Sequence, residues 1–195
     1  GVVGENAAII ATGIGSNVSI VDISSKRLNE LKAKFGDAIK PLQSDEINLM
    51  EHIKNCDLLI GGVLIPGANA PKLVSKEMIK LMKRGSVIVD VAIDQGGCVE
   101  TSKPTTHANP TYKVGEVVHY CVANMPGGVP LTSTLALNSA TLPFVLRLAQ
   151  EGYIKSLGSD KNFLAGLNIC QGSVTYKAIA DDLGYEYVSP SKAIN

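Results

Sequence analysis

The sequence has no excess charge of either sign: 18 lysines and arginines balance 18 aspartates and glutamates over 195 residues. Nucleic acid and anionic membrane surfaces favour clustered positive charge, so neither is expected as a partner. No uncharged apolar run reaches the roughly 18 residues that a membrane-spanning helix needs. The opening residues lack a basic segment ahead of an apolar core and do not read as a secretory signal. Cys56, Cys98, Cys121 and Cys170 are scattered, without a CxxC or other paired spacing. That predicts reduced thiols in a cytoplasmic protein and no structural metal. No HExxH occurs, and no Cys/His pair, so no catalytic metal is expected either. Ser133, Ser139 and Ser173 lack the G-x-S-x-G elbow of a serine hydrolase. The sequence also has no internal repeat and no low-complexity tract.

What is present is an ordinary globular composition, 45% apolar and 18% charged, with apolar residues arranged in alternating patterns. A helix is predicted over residues 7–11, stopping near Gly13 and Gly15. The β-branched run 18–23 reads as a buried strand. Ser24 then caps a helix carrying Leu28, Leu31 and Phe35. Residues 39–42 form a weak strand. Ser44 or Asp45 caps a helix bearing Ile47, Met50 and Ile53, and residues 57–64 form a strand. A helix from Ser75 to Gly85 precedes the clearest strand, 86–93. A Pro/Thr/Gly loop is expected over 95–115 and a further strand over 117–123. Strands alternating with helices imply βαβ units, hence an α/β fold with a doubly wound, Rossmann-like parallel sheet. Beyond Pro130 the pattern becomes helical: residues 131–150 read as one long helix containing Pro143, and 175–183 as another, with no strand between. The expected domains are therefore 1–130, nucleotide-binding, and 131–195, helical.

Several stretches carry chemistry. Gly1-Val2-Val3-Gly4 enters a helix, and Asp22 ends the following strand 18 residues after Gly4. Glycines there let the backbone approach a pyrophosphate at a helix N-terminus, and an acid at the second strand's end binds the adenosine ribose. Gly1 and Gly4 are the second and third glycines of G-x-G-x-x-G. A 2′-phosphate within ~4 Å of Asp22 would cost roughly 4 kcal/mol at an effective dielectric near 20, which favours NAD over NADP. Arg27, close by, argues the other way. Gly61-Gly62-Val63-Leu64-Ile65-Pro66-Gly67-Ala68 and Ile93-Asp94-Gln95-Gly96-Gly97 end strands at the edge where open α/β sheets bind ligands. Asp94 places a carboxylate there that can stabilise an ammonium or iminium, or orient water. Asp90, inside its strand, reads as structural. Val122, Ala123, Asn124 and Met125 end the last strand on the same edge, where the backbone and Asn124 can hold a nicotinamide carboxamide. His52 reads as solvated helix surface, and His107 and His119 as structural.

These segments, in this order, resemble the alanine dehydrogenase family, itself similar to the NAD-binding subunit of proton-translocating transhydrogenases. The resemblance runs from Gly1 to about Tyr187 and rests on GVVG, VLIPGANAPKLV (63–74), GSVIVDVAIDQGG (85–97), PTTHANPTY (104–112) and VANMPGGVPLTSTLALNSATLP (122–143). It implies reversible NAD-dependent oxidative deamination of L-alanine to pyruvate and ammonia, in a homo-oligomer, hexameric in this family. The family's residue roles put Asp22 on the adenosine ribose, Ser44 near the adenine, and Val63 and Leu64 near the ribose or nicotinamide. Ile93, Asp94, Val122, Asn124 and Met125 line the nicotinamide pocket, with Asp94 the catalytic carboxylate. Lys103 stands where the family often has arginine, and Arg147 where some members have an acid proposed to bind a metal, so no metal is implied. The family's histidine acid/base and its keto-acid-binding lysine and arginine belong to an N-terminal half. A sequence opening on Gly1, without the strand before it, is therefore expected to be part of a longer polypeptide and inactive by itself.

Overall fold

The computed structural model describes residues 1–65 and 70–194 and divides into two units: 1–64 with 69–125, and 65–68 with 126–195. Pro66, Gly67 and Ala68 of the second glycine-rich stretch lie outside the described residues. The first unit opens with α1 (Val2–Gly13), β1 (Val18–Asp22), α2 (Ser25–Phe35), β2 (Ile39–Gln43), α3 (Glu46–Ile53) and β3 (Leu58–Gly61). It continues with α4 (Lys76–Lys80), β4 (Val87–Asp90), β5 (Thr111–Val114) and β6 (Val117–Tyr120). The helices begin where side-chain oxygens can take free amides: Ser24 accepts from Arg27 N, Asp45 from Asn48 N, and Ser75 from Met78 N. Of the two capping residues expected for α3, Asp45 is the one used.

The strands form a parallel pair, β1–β2, and a second sheet ordered β3-β4-β6-β5, parallel except for β5. In a doubly wound sheet ordered 3-2-1-4-5-6 these are strands 3-2 and 4-5-6 plus an edge strand, and the break falls at the place of strand 1. Leu58 and Ile60 of β3, beside that break, are exposed despite being apolar strand residues. Helix α1 packs on both β1 and β3 and so bridges the two sheets.

The core lies between the second sheet and its helices: Ile53, Val74, Met78, Ile79, Met82, Ile88, Ala92, Val99 and Val117. Three expectations shift. The helix from Ser75 stops at Lys80, and bonds from Leu81 N to Met78 O and Met82 N to Ile79 O tighten the last turn. The strand expected over 86–93 ends at Asp90, and Val91–Gln95 curls into a 3-10 helix. Gly96 and Gly97, both at positive φ, then turn the chain back. Finally, the loop expected over 95–115 contains β5, a hairpin partner of β6 across Gly115-Glu116, with Gly115 at positive φ.

The second unit begins with α5 (Pro130–Glu151), which contains Pro143. It adds α6 (Tyr153–Gly158), α7 (Lys161–Leu164), β7 (Ile169–Cys170), β8 (Ser173–Val174), α8 (Lys177–Leu183) and α9 (Pro190–Ala193). The hairpin β7–β8 corrects the expectation of no strand between the helices. Its turn, Gln171-Gly172, has positive φ at both residues, the geometry that matches strand twist. Arg147 of α5 ties this unit together by bonding Asp160, Ser156 O and Ser159 Oγ. No described helix is long and apolar enough to cross a membrane. Ile88, fully buried at the centre of the first unit's core, tests the packing: Ile88→Ala is expected to cost about 2–5 kcal/mol in a denaturant titration.

Candidate functional site

The residues singled out in the sequence gather at the carboxyl ends of the parallel strands, and a short chain of contacts shows that these ends share one edge. Asp22 ends β1, and its Oδ1 accepts from Ser24 N at 2.8 Å, at the start of α2. Three residues on, Arg27 pairs with Glu5 in the first turn of α1. The N-terminus of α1 in turn abuts the end of β3: a Cβ on Gly62 would stand 3.2 Å from Val3 Cγ1 and 3.6 Å from Gly4 N. A side chain there would be tight against Val3. Since β3, β4 and β6 run parallel, Asp94 and Asn124, which follow β4 and β6, lie at the same edge. Asn124 N donates to Asp94 Oδ1 at 3.2 Å.

At the Asp22 end, Gly1 caps α1 without a side-chain hydrogen bond, and nothing comes within 4 Å of where a Cβ on Gly1 or Gly4 would stand. The first amides of the helix are thus left for a ligand, with the helix dipole favouring an anion. Ser44, just past β2, donates its amide to Asp22 O at 3.0 Å. Arg27 is engaged by both Glu5 and Glu30.

At the other end, Asp94 is exposed, while Ile93 and Val122 turn their side chains inward and offer only backbone. Val63 packs partly against the core, Leu64 is exposed and Met125 is half-buried. Asn124 adopts positive φ, which asparagine tolerates better than most residues. His107, read as structural, bonds Asn124 O through Nε2 at 3.1 Å, so it braces the turn that meets Asp94. Gln95 Oε1, next to Asp94 in sequence, is buried without a hydrogen-bond partner. An uncapped helix start, two unobstructed glycines and an orphaned acceptor near the strand ends fit a dinucleotide.

Beneath this edge lies a polar network that the sequence did not reveal, because its members are spread over residues 90–121. Asp90, fully buried, accepts from Val99 N at 3.1 Å, Ser102 Oγ at 2.6 Å and Cys98 Sγ at 3.5 Å. Burial, and then Asp90, push the Cys98 thiol up to about 12, leaving it unreactive. Cys121 Sγ lies 3.7 Å from both Ser102 Oγ and the Tyr112 hydroxyl. That hydroxyl accepts from Lys103 N and donates to Thr101 O. His119, stacked on Tyr112, donates from Nδ1 to Val117 O, so Nε2 accepts from Thr101 Oγ1 at 2.7 Å. The segment after residue 70 clamps the same loop: Ala70 N bonds Gln95 O, Leu73 N bonds Cys98 O, and Lys72 Nζ reaches the carbonyls of Gly96 and Gly97. Among the described residues, no group of acidic, histidine and cysteine side chains could hold a metal ion.

Glycines at a helix start, an acid at the next strand's end and ligand groups along one sheet edge define a Rossmann-type nucleotide-binding α/β domain. The model of the family described as alanine dehydrogenase/PNT, C-terminal domain, matches residues 1–177, and the chain belongs to that family. It is 55% identical to the alanine dehydrogenase of Halomonas elongata over 100% of this chain and 52% of that protein. A solved L-alanine dehydrogenase superposes with a TM-score of 0.83 at 47% identity, covering 94% of this chain and 51% of that one. A transhydrogenase from Sinorhizobium meliloti gives 0.72 at 28% identity over 91% and 48%. The chain spans about half the length of the curated relatives it matches. The family and its fold imply a nicotinamide nucleotide as cofactor.

Two outcomes test the network. A Cβ on Gly97 would stand 2.7 Å from Asp90 Oδ2, at a residue with positive φ. Gly97→Ala is therefore expected to destabilise the fold by more than about 1 kcal/mol, read by urea denaturation. Burial lowers the pKa of His119 from 6.5, so below that pH the unfolded chain binds a proton that the folded chain refuses. Stability should be full above pH 6.5 and fall as the pH drops below it, and His119→Asn should flatten that slope.

Proposed function

We propose that this chain is the cofactor-binding part of an NAD-dependent enzyme that reversibly deaminates L-alanine to pyruvate and ammonia, working in the cytoplasm as a homo-oligomer. The observation that carries this reading is an exposed carboxylate, Asp94, steadied by Asn124 N on the sheet edge where Asp22 also lies. The high identity to alanine dehydrogenases over the whole chain supports the substrate. Domain limits of 1–130 for nucleotide binding and 131–195 for the helical part belong to the same reading.

The overall balance is L-alanine, NAD and water going to pyruvate, ammonium, NADH and a proton. A nicotinamide bound at this edge supplies the hydride acceptor for the substrate Cα–H. The chain's own residues bind and orient. The free amides at the start of α1 donate to a pyrophosphate, and Asp22 accepts from the adenosine ribose hydroxyls. With one oxygen held by Asn124 N, Asp94 stabilises through the other the positive charge that develops on the substrate nitrogen as the C–N bond gains double-bond character. Backbone at Ile93 and Val122, with Asn124 and Met125, lines the nicotinamide side, and Val63 and Leu64 line the approach to it. Recognition of the substrate carboxylate and proton transfer are assigned to the half of the relatives' length that this chain does not span.

A second reading, hydride exchange between nucleotides, draws support from the likeness to the transhydrogenase structure. The intact protein separates the two. Alanine-dependent NADH formation supports the lead, and alanine-independent exchange with NADPH supports the alternative. Asp94→Asn is expected to lower kcat on the order of 100-fold, with NADH affinity within a few fold of the parent. An unchanged kcat would remove Asp94 from the mechanism.

A further inference from the structure

Arg27 is the residue that leaves nucleotide choice open in the sequence, and a partner 22 positions away in the chain decides what it does. Glu5, in the first turn of α1, gives both carboxylate oxygens to cations of α2: Oε2 to Arg27 Nη2, and Oε1 to Lys34 Nζ at 2.6 Å. The other terminal nitrogen of Arg27 reaches Glu30 at 2.9 Å. Two acids and two bases thus cancel, while Asp22, at the end of β1 just before α2, makes no ion pair among the described residues. Glu5 itself is held well below the usual carboxylate range, chiefly by Lys34 and Arg27, so it stays ionised at neutral pH.

We propose that Glu5 is a specificity-determining residue for the nucleotide: by occupying Arg27 it keeps that guanidinium off the adenosine ribose. The site then takes a ribose 2′-hydroxyl and rejects a 2′-phosphate. The inference rests on the dinucleotide reading above and deepens it. Its physical basis is that a guanidinium fork suits a phosphate well, and an arginine at this place is how related folds accept one. Here the fork is already filled. Without Glu5, Arg27 would keep only Glu30, an exposed i,i+3 pair of little worth, and the net charge at this end would rise by one unit. Lys26, one residue earlier and about 100° round the helix, is exposed and not held by Glu5, so it contributes equally before and after the change.

The test is binding rather than turnover. NADH and NADPH are titrated by fluorescence against the intact protein and its Glu5→Gln variant. The parent should prefer NADH, and the variant should narrow that preference at least tenfold, mainly through tighter NADPH binding. Adding Arg27→Met to Glu5→Gln should cancel the gain. Should Glu5→Gln melt early, Glu5→Thr gives the same comparison. An unchanged NADPH/NADH ratio in both variants overturns the proposal, as does an equal loss of both nucleotides, which would mark Glu5 as merely structural. A parent that binds neither nucleotide would instead overturn the dinucleotide reading beneath it, and this inference with it.

Discussion

A carboxylate removed from water must be given hydrogen-bond donors, and Asp90, with no exposed surface, imposes that condition on everything around it. Its donors, Val99 N, Ser102 Oγ and Cys98 Sγ, come from residues that follow it in the chain. The chain can supply them only by ending β4 and folding back. The return needs Gly97, since a side chain there would strike the carboxylate, and the closeness of β3 needs Gly61, where a Cβ would stand 2.4 Å from Cys98 Sγ. Asp94 is carried on the bend that results. The position of the exposed acid at the ligand edge is thus a consequence of how the buried one is satisfied.

The second constraint is the bridging role of α1. It packs on β1 and on β3, which are not hydrogen-bonded to each other, and its N-terminus meets the end of β3. One short helix therefore sets the relation between the strand that carries Asp22 and the sheet that carries Asp94. Leu58 and Ile60 of β3, beside the break between the two sheets, are apolar and exposed. The Glu5 ion pairs add a second tie at the same end, from α1 to α2.

Much of this was legible in the sequence. Alternating runs of β-branched and helical residues are local signals, so the α/β order, the cap at Ser24 and the long helix near Pro130 could be read directly, while Ser44 and Asp45 stayed equal candidates for the cap of α3. Asp22 could be placed as the last residue of a strand, whereas Asp94 was expected at a strand end and instead lies on the 3-10 turn that follows β4. Less legible was where elements stop. The run 86–93 is apolar enough to continue as a strand; it ends at Asp90 because of hydrogen bonds to residues up to 12 positions on. The strand β5 was hidden because Thr111–Val114 becomes a strand only by pairing with β6.

The sequence by itself determined the class of fold, the glycine-rich helix start and the strand that ends in Asp22, since each depends on residues adjacent in the chain. Only the tertiary structure decided that Glu5 takes Arg27, that His107 braces Asn124, and that Asp90, Ser102, Cys121, Tyr112, Thr101 and His119 form one network. Those contacts join residues as far as 22 positions apart. Their partners are set by how helices and strands pack, which no local pattern encodes.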